Sequence, residues 1–377
     1  MKRDIKQTSD IKNLEFFNII ENNYKFNAEN LDYLESISSS RYKINTKALK
    51  LFKEDYTKKN ELPIDISPQE FNYLNKIPES EFFAYLVYRY EFKVFPKKKI
   101  SSDFPCYVLI EPVSSCNLKC PMCFQSDKSF IKKEYMGKMH PELFKKVIDE
   151  CESGGTKAIT FGSRGEPTIH PDFLDFVSYV EGKFMDFKII TNATKLNEKL
   201  IHKIFSSNVS QVVFSIDSEK KEEYEELRKF AKYDEVLKNV KLYNEIKKTY
   251  KNIKTTTRIS GVKVRKTQDP DSFNSFWSKY ADEVVMKPAY PRWNTYLNDP
   301  EPDFIKPCSN LWERMYVWFD GKVNPCDADY KSNLSYGNVN DNTIKEIWNS
   351  SKLLDYREKH LSGNRSNFMP CDRCSLS

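Results

Sequence analysis

Between about residue 103 and residue 300 the chain alternates six short apolar, β-rich runs with longer amphipathic stretches, and few folds accept that alternation. The runs are YVLIEPV (107–113), AITFGS (158–163), FKIITN (187–192), QVVFSID (211–217), TTTRISGV (255–262) and EVVMKPA (283–289). Strands separated by helical segments pair in parallel and cover their sheet with the helices between them. The stretch PELFKKVIDECESGG (141–155) shows the helix chemistry expected there, with proline at its start and paired glycines at its stop. The fold class is therefore α/β, a partial barrel of six strand–helix units. In parallel sheets of this kind ligands collect at the C-terminal ends of the strands.

The flanks differ in texture. Residues 1–102 contain neither cysteine nor glycine, and runs such as LDYLESI (31–37) and FFAYLVYRYEF (82–92) have the apolar spacing of short helices. They are expected to form a helical N-terminal extension. From 301 to 377 the chain is turn-rich, with Trp312, Trp318, Trp348 and clustered cysteines, as in a small domain stapled by metal. A division at 1–102, 103–300 and 301–377 follows.

Composition narrows the function classes. The formal charge of +6 is spread over 60 basic and 54 acidic residues, so no nucleic-acid footprint is expected. No run approaches the roughly 18 apolar residues of a membrane span, and the polar start MKRDIKQTSD lacks the apolar region of a signal peptide. The expected compartment is the cytoplasm, with no membrane partner. In a reducing compartment nine cysteines point to metal or redox chemistry rather than to disulfides.

The cysteines fall into a trio, Cys116, Cys120 and Cys123, a separated set, Cys308, Cys326, Cys371 and Cys374, and two singletons, Cys106 and Cys151. The singletons read as small buried hydrophobes. Three thiolates in one short loop suit a [4Fe–4S] cluster whose fourth iron stays open. Structural zinc is the competing reading, and it wants a fourth ligand, which the neighbourhood of CNLKCPMC does not offer. The four later cysteines satisfy either a closed [4Fe–4S] site or a tetrahedral zinc site.

C-x3-C-x2-C after the first strand of a strand–helix series, followed by the aromatic Phe124, resembles the radical S-adenosylmethionine (SAM) superfamily. The resemblance covers residues 105–374. It implies a partial (β/α)6 radical SAM barrel in which Cys116, Cys120 and Cys123 hold the catalytic cluster and the open iron chelates SAM. It also implies reductive cleavage of SAM to a 5′-deoxyadenosyl radical that abstracts a substrate hydrogen. An external one-electron reductant of flavodoxin or ferredoxin type is a further implied partner. Arg164-Gly165-Glu166-Pro167, closing the second strand, is similar to the family's Gly-Gly-Glu-Pro element, which assigns Gly165 and Glu166 to the methionine ammonium of SAM. Arg164 departs from that element. Asn192, Ser215 and Asp217 match the family's SAM-contacting strand ends, and Arg228 is placed to pair with the methionine carboxylate. Phe124 completes the cofactor-binding set.

The spacing Cys308-x12-Gly321-x4-Cys326, with GNVNDNTIKEIWNS and Arg357 following, resembles the SPASM or twitch auxiliary-cluster domains. Four cysteines rather than seven imply one auxiliary [4Fe–4S] cluster, fully ligated by protein and suited to electron transfer. Two [4Fe–4S] clusters and SAM are thus the expected cofactors. The substrate classes carried forward are a ribosomal peptide and a sugar or aminocyclitol-like small molecule. A zinc-stapled binding protein and a non-catalytic iron–sulfur electron carrier are the rival functions, and the missing fourth ligand of the trio argues against both.

Overall fold

The computed structural model describes residues 35–36, 38, 41–59, 62–251, 253–289, 295–300 and 305–374. The chain divides into two compact units, Met1–Ser102 and Asp103–Ser377. Apart from Glu35 and Ser36, the run LDYLESI lies outside the described residues.

The described part of the first unit is helical: Thr46–Lys59, Pro68–Leu74 and Glu79–Lys98. The second of these begins with a reciprocal capping box between Ser67 and Glu70, and the third ends where Lys99 turns left-handed. FFAYLVYRYEF falls inside Glu79–Lys98, and Phe83 and Tyr90 from it meet Phe52 edge-to-face at 6.0 and 5.6 Å between ring centroids. Glu70 is buried among two cations, Arg89 at 2.5 Å and Lys93 at 2.6 Å, which hold its carboxyl below the usual range against the opposing pull of burial.

The second unit is built on one sheet. Its strands are β1 (Tyr107–Ile110), β2 (Ala158–Phe161), β3 (Asp186–Thr191), β4 (Gln211–Ser215), β5 (Thr256–Lys263), β6 (Glu283–Pro288), β7 (Met315–Val317), β8 (Lys322–Asn324) and β9 (Gly337–Asn338). The first six correspond to the six apolar runs, and they lie side by side in parallel, in the order β6-β5-β4-β3-β2-β1. β1 and β2 are buried along their whole length, which is why both read as unbroken apolar runs. Helix Pro141–Gly154 presents Phe144, Val147, Ile148 and Cys151 to the sheet and stops at Gly155, whose φ of +92° suits glycine. Phe144 stacks on Phe176 of helix Phe173–Val180 with centroids 3.8 Å apart.

Beyond β1 the sheet continues into the C-terminal region. β7 pairs in parallel with β1, Val108 beside Met315, and β8 and β9 then add antiparallel. Among the described residues the mixed α/β fold with a parallel core thus has nine strands. All of the parallel strands point their C-terminal ends to one edge, and the trio loop leaves β1 at that edge.

Candidate functional site

Cys116, Cys120 and Cys123 line one cleft, together with residues at or just beyond the C-terminal ends of four other strands. β2 contributes Gly162 to Glu166, β3 contributes Thr191 and Asn192, β4 contributes Ser215 and Asp217, and β5 contributes Val262. Burial pushes the Cys116 thiol up to about 12, and the Leu118 N–H donates to its sulfur at 3.4 Å. Asn192 Nδ2 lies 3.9 Å from the same sulfur and donates to Asn117 Oδ1 at 2.9 Å. Burial also raises the Cys120 thiol, while the neighbouring Arg228 guanidinium pulls it down. Backbone N–H groups and a guanidinium beside buried sulfurs favour the thiolate, the form a cluster requires.

The turn after β2 is tightly constrained. Ser163 has φ +95°, and a Cβ on Gly165 would meet the carbonyl oxygens of Val113 and Ser115 at 2.1 and 2.4 Å. Glycine is required because the trio loop and this turn touch backbone to backbone, and Glu166 N–H donates to Ser115 O at 3.0 Å. Arg164, standing where the related element has glycine, lines the cleft and commits its guanidinium to partners in this unit. Its Nε and Nη2 grip Glu111 at 2.6 Å each and its Nη1 donates to Tyr330 O at 2.8 Å, with Trp318 packed 4.3 Å from the guanidinium. Glu166 is buried, and its carboxylate accepts from Thr168 Oγ1 (2.6 Å), Thr191 Oγ1 (2.6 Å) and Asn192 N–H (2.7 Å). Those bonds tie the β2 turn to the end of β3, although burial still raises the carboxyl.

Asp217 is buried and accepts from Arg228 Nε at 2.5 Å and from Val262 N–H at 2.8 Å. Arg228 therefore faces the cleft while anchored by Asp217. Phe124 is not among the cleft-lining residues. Its ring stacks on Tyr330 at 5.2 Å and meets Phe130 edge-to-face at 5.7 Å, joining the trio loop to the C-terminal region. Sequence reasoning passed over Asn117, Gln125 and Glu111. Gln125 is buried and donates to Ser114 O and Arg164 O at 2.6 and 2.7 Å, fixing the trio loop to the β2 turn. Glu111 did carry a signal, since it is a carboxylate closing a strand with no polar face.

The four later cysteines also gather. Cys326 follows β8, Cys371 opens the short turn Cys371–Arg373 and Cys374 follows it, and Cys308 precedes helix Asn310–Glu313. Burial raises the Cys326 and Cys371 thiols; Cys326 also feels Cys371, Cys374 and Cys308, and Cys371 feels Cys308 and Cys374. Gly321, at φ +84°, makes the β7–β8 turn, and a Cβ there would lie 2.5 Å from Asn338 and Asn340. Arg365 is buried and ties the segments that carry Cys308 and Cys374 together by donating to Cys374 O at 2.8 Å and Lys306 O at 3.3 Å. Arg357, picked out by the sequence, donates to Leu311 O and packs 4.5 Å over Trp348. Among the described residues no three His, Cys, Asp or Glu side chains converge as a single-ion site. The donor sets, three sulfurs around an open cleft and four in a closed nest, fit iron–sulfur clusters with and without a free coordination position. Cys106 and Cys151 are buried outside both sets.

Residues 110–272 match the family model of the radical SAM superfamily, and residues 308–375 match that of SPASM, an iron–sulfur cluster-binding domain. The cysteine-type anaerobic sulfatase-maturating enzyme of Clostridium novyi is 30% identical over 329 residues, spanning 71% of this chain and 84% of that protein. Shorter matches join it to a tungsten-containing aldehyde ferredoxin oxidoreductase cofactor-modifying protein of Pyrococcus furiosus, 37% identical over 112 residues. A match of 29% over 115 residues relates it to mycofactocin maturase MftC of Mycobacterium ulcerans. These two matches take in 29% and 30% of this chain, and each spans 30% of the relative's own length. The fold is similar to that of SuiB from Streptococcus suis bound to S-adenosylmethionine, with TM-score 0.55 and 17% identity over 88% of this chain and 82% of that one.

Proposed function

Because the chain belongs to the radical SAM superfamily and carries a SPASM-type cluster domain, we propose that it cleaves SAM at Cys116, Cys120 and Cys123 and abstracts a substrate hydrogen. A second [4Fe–4S] cluster held by Cys308, Cys326, Cys371 and Cys374 completes the reading. It is an enzyme acting on a peptide or a small molecule. When bound at the trio, a reduced cluster supplies the one electron that splits SAM into methionine and a 5′-deoxyadenosyl radical.

The observation that carries the proposal is the convergence of the trio with Gly165, Asn192, Ser215 and Arg228 on one cleft at the strand ends. The bare backbone at Gly165 leaves its peptide groups free to face the methionine ammonium. Glu166 acts by holding that turn against β3, since its oxygens are engaged by Thr168, Thr191 and Asn192. Arg228 offers its remaining N–H groups to the methionine carboxylate, Asn192 and Ser215 to the ribose. Phe124 serves the site indirectly by bracing the trio loop against Tyr330. We keep the three-part division at 102 and 300 and a reducing, cytoplasmic setting, which suits nine cysteines that form no disulfide. Among the described residues no helix is long and apolar enough to cross a membrane.

We assign the substrate to the two classes named by the sequence, a ribosomal peptide or a sugar or aminocyclitol-like molecule; a mycofactocin maturase and an anaerobic sulfatase-maturating enzyme are among the relatives. Anaerobic reconstitution tests the reading. About eight irons per chain are expected from two cubanes, and replacing Cys116, Cys120 and Cys123 together by alanine should abolish SAM cleavage while leaving about four. SAM cleavage by that triple variant, or stoichiometric zinc in place of iron, would refute the assignment.

A further inference from the structure

Arg357 is 4% exposed, and neither Nη1 nor Nη2 of its guanidinium has a hydrogen-bond partner. Of its nitrogens only Nε is engaged, donating to Leu311 O at 3.0 Å, while the Trp348 ring covers one face of the cation at 4.5 Å. Burial pulls the guanidinium down to about 10, opposed by Tyr336. A buried cation is costly unless it is paired, and an orphan of this kind in a folded chain calls for a partner. The carboxylates of the surrounding segments are engaged elsewhere. Asp355 pairs with Lys359, Glu313 with Arg314 and Asp372 with Arg373, and Asp329 accepts from Tyr296 and Asn324. Glu358, the next residue, is exposed.

The helix that carries Arg357, Ser351–Leu361, turns its buried residues Leu353, Tyr356, Arg357 and His360 toward the four later cysteines. His360, one turn on, accepts from Cys308 N–H through Nδ1 at 3.2 Å. Leu311, whose carbonyl Arg357 holds, follows Cys308 by three positions. Burial raises the Tyr356 phenol, and Asp329 and Cys371 add to the rise. Burial likewise raises the Tyr336 phenol, where Arg357 pulls down and Cys326 pushes up. Cation and cluster ligand thus act on one phenol. Arg365, a second buried cation of the nest, pulls the Cys371 thiol down, but its Nη groups are given to Cys374 O and Lys306 O.

We propose that Arg357 is the counter-charge of the four-cysteine site, acting through the cluster bound there and holding its reduction potential up. The assignment rests on the cluster reading of those cysteines given above. Four thiolates outweigh the positive charge of a [4Fe–4S] core, so the site is an anion when oxidised and more strongly one when reduced. A fixed cation in a buried, low-dielectric setting therefore favours the reduced form. One electron enters from an external reductant, no bond of the chain forms or breaks, and Arg357 stays protonated in both states. It does not line the SAM cleft, so its effect falls on the second cluster.

The test uses the full-length chain with alanine at Cys116, Cys120 and Cys123, in which only the four-cysteine site can load. This parent is reconstituted anaerobically and titrated with dithionite under electron paramagnetic resonance. Arg357→Met, of similar length and without charge, should lower the ratio of reduced to oxidised cluster about tenfold at a fixed poise, or about 59 mV for a one-electron couple. Arg357→Lys, which keeps the charge, should stay within about threefold of the parent. In Arg357→Met, iron release to a chelator should quicken more from the reduced than from the oxidised site, because the more negative state feels the lost charge most. A packing role alone would speed both equally. If Arg357→Met takes up no iron, Arg357→Gln, which keeps a donor for Leu311 O, carries the same measurements. The proposal is overturned by a methionine or glutamine variant within about threefold of the parent, by a lysine variant displaced as far as the methionine one, or by equal quickening from both states. Absence of iron from the four-cysteine site of the parent overturns the cluster reading and this assignment with it, and metal analysis shows that before any potential is measured.

Discussion

Arg164 and Glu111 form a bidentate ion pair that is almost wholly withdrawn from solvent, with side-chain exposures of 2% and 0%. The pair joins the end of β1 to the turn after β2, and through Tyr330 O it reaches the C-terminal region. Two charges buried in this way depend on each other, because either one left alone cannot be rehydrated.

Arg164→Met should therefore destabilise the second unit by about 3–5 kcal/mol. Arg164→Met combined with Glu111→Leu should recover a large part of that loss, since the orphaned carboxylate is gone. Denaturant unfolding of the single and double variants under anaerobic conditions checks it. Equal destabilisation in both would show that the pair acts through shape alone.

Gly165→Ala places a methyl group on two carbonyl oxygens of the trio loop, at 2.1 and 2.4 Å. The two backbones must part, so SAM affinity should fall by at least about tenfold, or about 1.4 kcal/mol, while iron bound at the four-cysteine site is retained. Equilibrium dialysis against SAM together with iron analysis reads both quantities. Wild-type SAM affinity would mean that the turn does not touch the ligand.

Cys326→Ala removes one thiolate from a nest that also holds the ends of the C-terminal region together, so loss of that cluster and local unfolding should coincide. SAM cleavage at the trio should persist while product formation fails, and 5′-deoxyadenosine should accumulate uncoupled. Unchanged product yield in a folded variant would leave the second cluster a structural staple.

His170 supplies a pH dependence. Its Nδ1 accepts from Asp172 N–H at 3.1 Å, so the neutral ring carries its proton on Nε2, which donates to Met139 O at 3.1 Å. Burial lowers its pKa from the ordinary 6.5. The unfolded chain then binds the proton more readily than the native one, so stability is fully present above pH 6.5 and declines as pH falls through the lowered native value. The melting temperature should drop on acidification from pH 7.5 to 5.5, and His170→Gln, less stable at pH 7.5, should show a smaller drop. An equal drop in both would assign the effect to other groups.

The strands, the trio and the Gly165 turn were legible because their signals are local. Six apolar runs spaced by helical segments became β1 to β6, and three thiols within eight residues must share a loop whatever surrounds them. Arg164 was visible as a departure but not as a partner of Glu111, which is 53 positions away. The continuation of the sheet through β7 was likewise hidden, since Met315 pairs beside Val108 across some two hundred residues. Short runs such as MYV carry too little periodicity to announce a parallel neighbour.

The sequence by itself determined the chemistry available to this protein: two cysteine sets, a glycine where backbones touch, and strand ends rich in small polar groups. Spacing along the chain suffices for that, because ligand type and turn geometry are properties of a few adjacent residues. Only the tertiary structure decided which groups are occupied with one another. Glu166 is satisfied by Thr168, Thr191 and Asn192, Asp217 holds Arg228, and Phe124 turns to Tyr330 instead of the cleft. Such pairings are set by the register of distant strands and by the requirement that buried polar groups find partners. No local pattern encodes either.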